Sequence, residues 1–79
     1  MNDRALTYGE RAVGLTFNPS NDADVQECKV AYAAIIDNLA RLRDEAADGE
    51  KKRLFSVAIT EAQTAQMWAV KGITWQEEA

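Results

Sequence analysis

The chain has 79 residues and a mass of 8.7 kDa, room for one small domain. Its net charge is −4, which argues against non-specific binding to DNA, RNA or anionic membranes, because such binding needs a basic surface. With one cysteine, Cys28, and no histidine, an internal disulfide and Ser-His-Asp or Cys-His catalysis within the chain are excluded, and a structural zinc site is not expected.

Hydrophobic residues make up 47% of the chain, but 14 of them are alanine. A chain this short buries only ~60% of its unfolded surface and is marginally stable alone. Small domains compensate with disulfides, metals or partner subunits, and here only oligomerisation remains. No stretch approaches the ~20 apolar residues of a membrane span. No charged segment leads an apolar one, so no secretory leader and a cytosolic location are expected.

In chain order, Asn2 to Val13 is weakly helical. Leu6 and Val13 lie seven apart with Ala5, Tyr8 and Ala12 between them, and Gly9 and Gly14 interrupt or end the segment. A short helix over 1–13 is expected. The sole proline follows in Phe17-Asn18-Pro19-Ser20, a break that places a loop over 14–21. Ser20, Asn21 and Asp22 are good helix caps, and Asp22 and Asp24 suit the positive end of a helix.

A helix over 22–47 is then expected. Val25, Cys28, Tyr32, Ile35, Leu39, Leu42 and Ala46 step by three and four without a break, the pattern of a heptad seam. Its length is ~39 Å. Asp48-Gly49 reads as a turn, with the glycine suited to the left-handed position after a helix.

A second long helix is expected over 50–75. Its apolar residues, from Leu54 to Trp75, cover roughly 200° of the helical wheel, wider than one neighbouring helix buries. Arg53, Ser56, Thr60, Gln63, Thr64, Lys71 and Thr74 form the opposite face. The short turn makes the long helices antiparallel, and Asp44, Glu45 and Asp48 can then face Lys51, Lys52 and Arg53. Ala58, Ala62, Ala65, Ala69 and Gly72 make a flat stripe on which another helix can approach. The fold class is all-α: a short N-terminal helix and a long antiparallel hairpin, assembled as a homo-oligomer that covers the surplus apolar arc.

Few residues carry chemistry. Lys29, one position after Cys28, reads as a solvated lysine or as a cation for a phosphate; Phe17 reads as a loop staple or as a ring that stacks a base. Lys71 suits a helix C-terminus, and copies gathered round an oligomer axis would need an anion between them. Tyr8, Tyr32, Trp68 and Trp75 read as core or interface. Asp37, Asp44, Glu45 and Glu61 read as solvated faces, and no catalytic constellation emerges.

Three stretches carry a resemblance. They are Gly14-Leu15-Thr16-Phe17-Asn18-Pro19-Ser20, then Val25 to Lys29 leading into Ile35-Ile36-Asp37, and Ala58-Ile59-Thr60 through Ala65-Gln66-Met67-Trp68-Ala69-Val70-Lys71. From about Gly14 to Trp75 the chain resembles the helical hairpin domain of phage anti-CBASS sponges (anti-CBASS protein two), shared with some anti-Thoeris sponges. The resemblance implies a homohexamer in the host bacterial cytoplasm. It implies sequestration, without cleavage, of cyclic oligonucleotide second messengers of the cyclic GMP-AMP or cyclic tri-adenylate type. No enzyme activity, cofactor or metal is implied.

By position, Lys29 corresponds to the lysine that holds phosphate in a dinucleotide pocket between two protomers. Phe17, with Tyr8 in reserve, corresponds to the stacking aromatic, although strict placement puts Leu15 there. Lys71 corresponds to a basic residue of a trinucleotide pocket made by three protomers, where better-known members carry arginine; a threonine of that pocket falls at Ala31. The alternative expectation is an oligomeric hairpin that docks a protein and takes no small ligand.

Overall fold

The structure is a computed structural model that describes residues 4–77. Three helices account for its regular structure: α1 (Tyr8–Ala12), α2 (Ala23–Glu45) and α3 (Gly49–Thr74). α2 lies between the other two and packs against both. The molecule measures 52 × 36 × 12 Å, so its thickness is close to that of one helix with its side chains. The all-helical hairpin expected from the sequence is present.

Each helix starts on a capping side chain. Thr7 and Glu10 form a reciprocal capping box on α1: Thr7 Oγ1 accepts from the Glu10 amide, and the Glu10 carboxylate accepts from the Thr7 amide. Asp22 accepts from the Asp24 amide at 2.7 Å to cap α2, and Asp48 accepts from the Glu50 amide to cap α3. The N-terminal helix is therefore shorter than expected. Residues 4–7 are not helical, because Thr7 ends the helix where the sequence pattern ran on; residues 1–3 lie outside the described part.

The Asp48-Gly49 turn also differs. Gly49 is the first residue of α3 and not a left-handed cap of α2. Positive φ occurs instead at Gly14 (64°) and Asn21 (56°), on either side of the loop before α2. The acid–base pairing expected across the turn gives way to local partners. Arg53 pairs with Glu50 and Arg41 with Glu45, while Lys52 Nζ reaches across to the Arg43 carbonyl at 3.0 Å.

The core is small: Val13, Ala33, Ile36 and Ile59, of which Ile36 alone is fully enclosed. On α2 the buried line is Val25, Lys29, Ala33 and Ile36, a face rotated by about one residue from the heptad seam. Tyr32 and Leu39 stay at its edge, but Ile35 is 48% exposed. The rotation has a steric origin. α1 crosses α2 at Gly9, whose amide donates to Asp37 Oδ1 at 2.7 Å, and a Cβ there would lie 2.2 Å from the Ala33 carbonyl oxygen. Only a glycine over an alanine permits that approach.

α3 turns one edge of its apolar arc, centred on Ile59, Ala62 and Gln66, toward α2. The other edge, with Leu54, Val57, Trp68 and Trp75, is exposed. The expected surplus is thus real within the single chain.

Two outcomes follow from these contacts. Gly9→Ala pushes α1 off α2 and lowers stability by about 2–3 kcal/mol in denaturant unfolding; a loss under about 0.5 kcal/mol contradicts the close approach. Arg4 holds Glu10 bidentately at 2.7 Å, and with the Thr7 amide bond this lowers the Glu10 carboxyl from 4.5 to about 2. Because the folded value is depressed, the stabilisation is complete above the ordinary value and is lost as pH falls toward about 2. A carboxyl NMR titration gives a Glu10 midpoint near 2, and a midpoint near 4.5 contradicts the clasp.

Candidate functional site

The turn after α1 builds the site. Gly14 in the left-handed region reverses the chain, and the Phe17 amide donates to the Gly14 carbonyl at 2.9 Å. The next residues bond to one another. Asn18 Nδ2 donates to the Asp22 carbonyl at 3.0 Å, and Ser20 Oγ donates to Asn18 Oδ1 at 2.8 Å and accepts from the Asp22 amide. Asn and Ser side chains that bond nearby backbone are what set such turns. Asn18 and Ser20 thus hold the loop around Pro19.

Lys29 enters from below, on α2. It is 6% exposed, and Nζ donates to the Gly14 carbonyl at 2.9 Å and to the Phe17 carbonyl. Among the described residues no carboxylate pairs with it. A lysine ammonium has three donors, so one is left after the two carbonyls. Nζ also lies 5.6 Å from the centroid of the Phe17 ring, within cation–π range. The ring itself is 70% exposed.

Together these groups form one wall of a cavity of about 330 Å³, at the lower end of ligand-pocket sizes. Residues 17–20 supply the loop side, Val25 and Lys29 the α2 side, and Val70 and Thr74 the α3 side. Thr74 Oγ1 donates to the Val70 carbonyl at 2.9 Å, which leaves its lone pairs as acceptors. The cavity is apolar apart from the buried ammonium and these few hydroxyl and amide groups.

The structure thus joins two of the four sequence-predicted site residues, Phe17 and Lys29. The solvated-lysine reading of Lys29 does not hold, and Phe17 is no buried staple. Tyr8 stands elsewhere: its ring lies 5.6 Å from the Arg43 guanidinium, and Arg43 is fourteen residues, about 21 Å, along α2 from Lys29. Lys71 is exposed on the outer side of α3, with Nζ 5.7 Å from the Trp68 ring, although its neighbour Val70 lines the cavity. Within one chain neither Tyr8 nor Lys71 joins the cavity.

Sequence reading missed Val70 and Thr74, which lie at the edge of the apolar arc and on the polar face. It also gave no role to Gln26, whose Nε2 donates to the Leu15 carbonyl at 3.3 Å. The available signal was spacing, since Gln26 and Lys29 are three apart and share a face of α2. Among the described residues no group of acidic or cysteine side chains is arranged to hold a metal, and no helix is long and apolar enough to cross a membrane.

Fold and cavity define a flat helical hairpin with a cation-walled pocket beside its first loop. The family model of the Acb2/Tad1 hairpin domain matches residues 10–74, and the chain belongs to that family, the anti-CBASS protein 2 and anti-Thoeris sponges. The family is one of sponge-like binding of signalling molecules. No curated protein and no solved structure matches the chain.

Proposed function

We propose that this protein is a phage immune-evasion sponge: it binds cyclic oligonucleotide second messengers in the host bacterial cytoplasm and withholds them, uncleaved, from CBASS-type effectors. The observation that carries this reading is Lys29, a buried ammonium held by two carbonyls, with no carboxylate partner among the described residues, in the wall of an apolar cavity. A buried charge is costly unless it is paired. Carbonyl dipoles offset part of that cost, and a phosphate supplies the missing charge. The exposed Phe17 ring offers a base a stacking surface, worth about 1–3 kcal/mol.

One chain supplies half of such a site. A molecule about one helix thick leaves the cavity open at its surface, and a second protomer would be needed to close it. Assembly as a homohexamer follows the family resemblance and agrees with that exposed edge. Lys71, outward beside Trp68, would serve a second pocket between protomers, where a cyclic trinucleotide would need several copies of it. Holding a ligand without reacting is consistent with a pocket whose polar groups are one lysine, the Ser20 and Thr74 hydroxyls and loop amides.

The same exposed apolar edge would also suit an oligomeric hairpin that docks a protein, but that reading leaves the third Lys29 donor and the cation-walled cavity without a role.

Isothermal titration of the full chain with cyclic dinucleotides and cyclic trinucleotides tests the proposal. The expected result is tight binding of about one dinucleotide per two chains, weakened about 100-fold or more in Lys29→Met, which keeps the apolar stem. Intact messenger is recovered after heat denaturation of the complex. Unchanged affinity in a folded Lys29→Met chain removes the assigned site, and silence from every cyclic nucleotide favours the protein-docking hairpin.

A further inference from the structure

The loop that carries Phe17 is fastened to α2 by two side chains on one helical face. Gln26 Nε2 donates to the Leu15 carbonyl at 3.3 Å, and Lys29 Nζ donates to the carbonyls of Gly14 and Phe17. Three carbonyls within four residues thus end on the same helix. The backbone can aim them there because Gly14 has φ 64°. A Cβ at Gly14 would meet nothing nearer than Phe17 Cβ at 3.8 Å and Lys29 Nζ at 3.9 Å, ordinary contacts. The need for glycine is therefore one of backbone conformation and not of space.

The result of this fastening is the position of Phe17. Its amide is bonded to Gly14 and its carbonyl to Lys29, and its ring stands at the cavity rim with most of its surface open. An exposed ring on a free loop would have to be ordered by the ligand, at a cost in conformational entropy. A ring fixed beforehand avoids that cost, and preorganisation appears directly as affinity.

We infer that Gln26 and Gly14 are positioning residues of the ligand site: they hold Phe17 as a preset stacking surface without touching the ligand. Neither lines the cavity. This rests on the functional reading above. Gln26 acts as a donor to one carbonyl and Gly14 as the residue that tolerates the left-handed turn. Lys29 has two roles, as phosphate cation and as the second fastening point, so its removal affects the ring as well as the charge.

The test titrates the full-length wild type and four variants with cyclic GMP-AMP, cyclic di-AMP and cyclic di-GMP. Gln26→Met keeps the side-chain length and removes the donor. Gly14→Val disfavours the left-handed turn, whereas Gly14→Asn tolerates it and serves as the rescue. Gln26→Met and Gly14→Val are expected to bind roughly tenfold more weakly, with Gly14→Asn close to wild type. In a Phe17→Leu background Gln26→Met is expected to add little further loss, because its effect passes through the ring.

Wild-type affinity in both Gln26→Met and Gly14→Val overturns the inference while leaving the functional reading intact. So does an undiminished loss in the Phe17→Leu background, which marks a general loss of stability. A folded wild type that binds none of the three probes overturns the functional reading, and the inference with it.

Discussion

A single buried ammonium organises the loop end of this molecule. Lys29 has left water for a position between two carbonyls of the preceding loop, and it does so without a carboxylate partner among the described residues. That arrangement has local and wider consequences. Locally it closes the loop over α2 and brings the Phe17 ring to the rim of the cavity. More widely, it keeps a positive charge inside an acidic protein, an arrangement suited to the proposed small anion rather than to bulk nucleic acid. The cost of an unpaired buried charge is the reason to expect a ligand, since a phosphate supplies what the chain does not.

The second constraint is the thinness of the fold. α1, α2 and α3 form a slab 12 Å deep, and a slab has two open faces. Its core contains one fully enclosed side chain, Ile36. The close Gly9–Ala33 approach adds α1 to the layer without adding depth. Large side chains such as Trp68 and Trp75 then have nowhere in the chain to be buried. The open pocket and the exposed apolar edge share this origin: one protomer is too thin to enclose either.

Much of this was legible in the sequence. The hairpin could be read because apolar residues recur at three and four over some fifty positions, and Pro19 and Asp48-Gly49 punctuate them. The surplus arc on α3 was legible for the same reason. The rotated face of α2 was not, because periodicity counts large apolar residues. It weights Ile35, which is exposed, and ignores Ala33, buried by a neighbour that only Gly9 allows so close, and Lys29, buried under the loop after α1. The Thr7–Glu10 box was present in the sequence as Thr-x-x-Glu, and its neglect made the first helix too long. At the site, Lys29 and Phe17 stood out as an isolated cation and a loop aromatic. Tyr8 and Lys71 lie elsewhere, because helical phase and long-range packing decide which side chains meet. Val70 and Thr74 had no signal apart from the antiparallel pairing of α3 with α2.

The central claim is that the Lys29 ammonium is fixed by the loop and receives the ligand's phosphate. NMR of the lysine side-chain ammonium groups, followed through a titration with cyclic GMP-AMP, tests it most directly. In the free protein the account predicts one ammonium signal protected from solvent exchange, assigned to Lys29 by its loss in Lys29→Met. That signal shifts with added ligand and stops shifting near one ligand per two chains. A ligand that binds while the Lys29 signal stays in place, or a Lys29 ammonium that exchanges as fast as the surface lysines, contradicts the account.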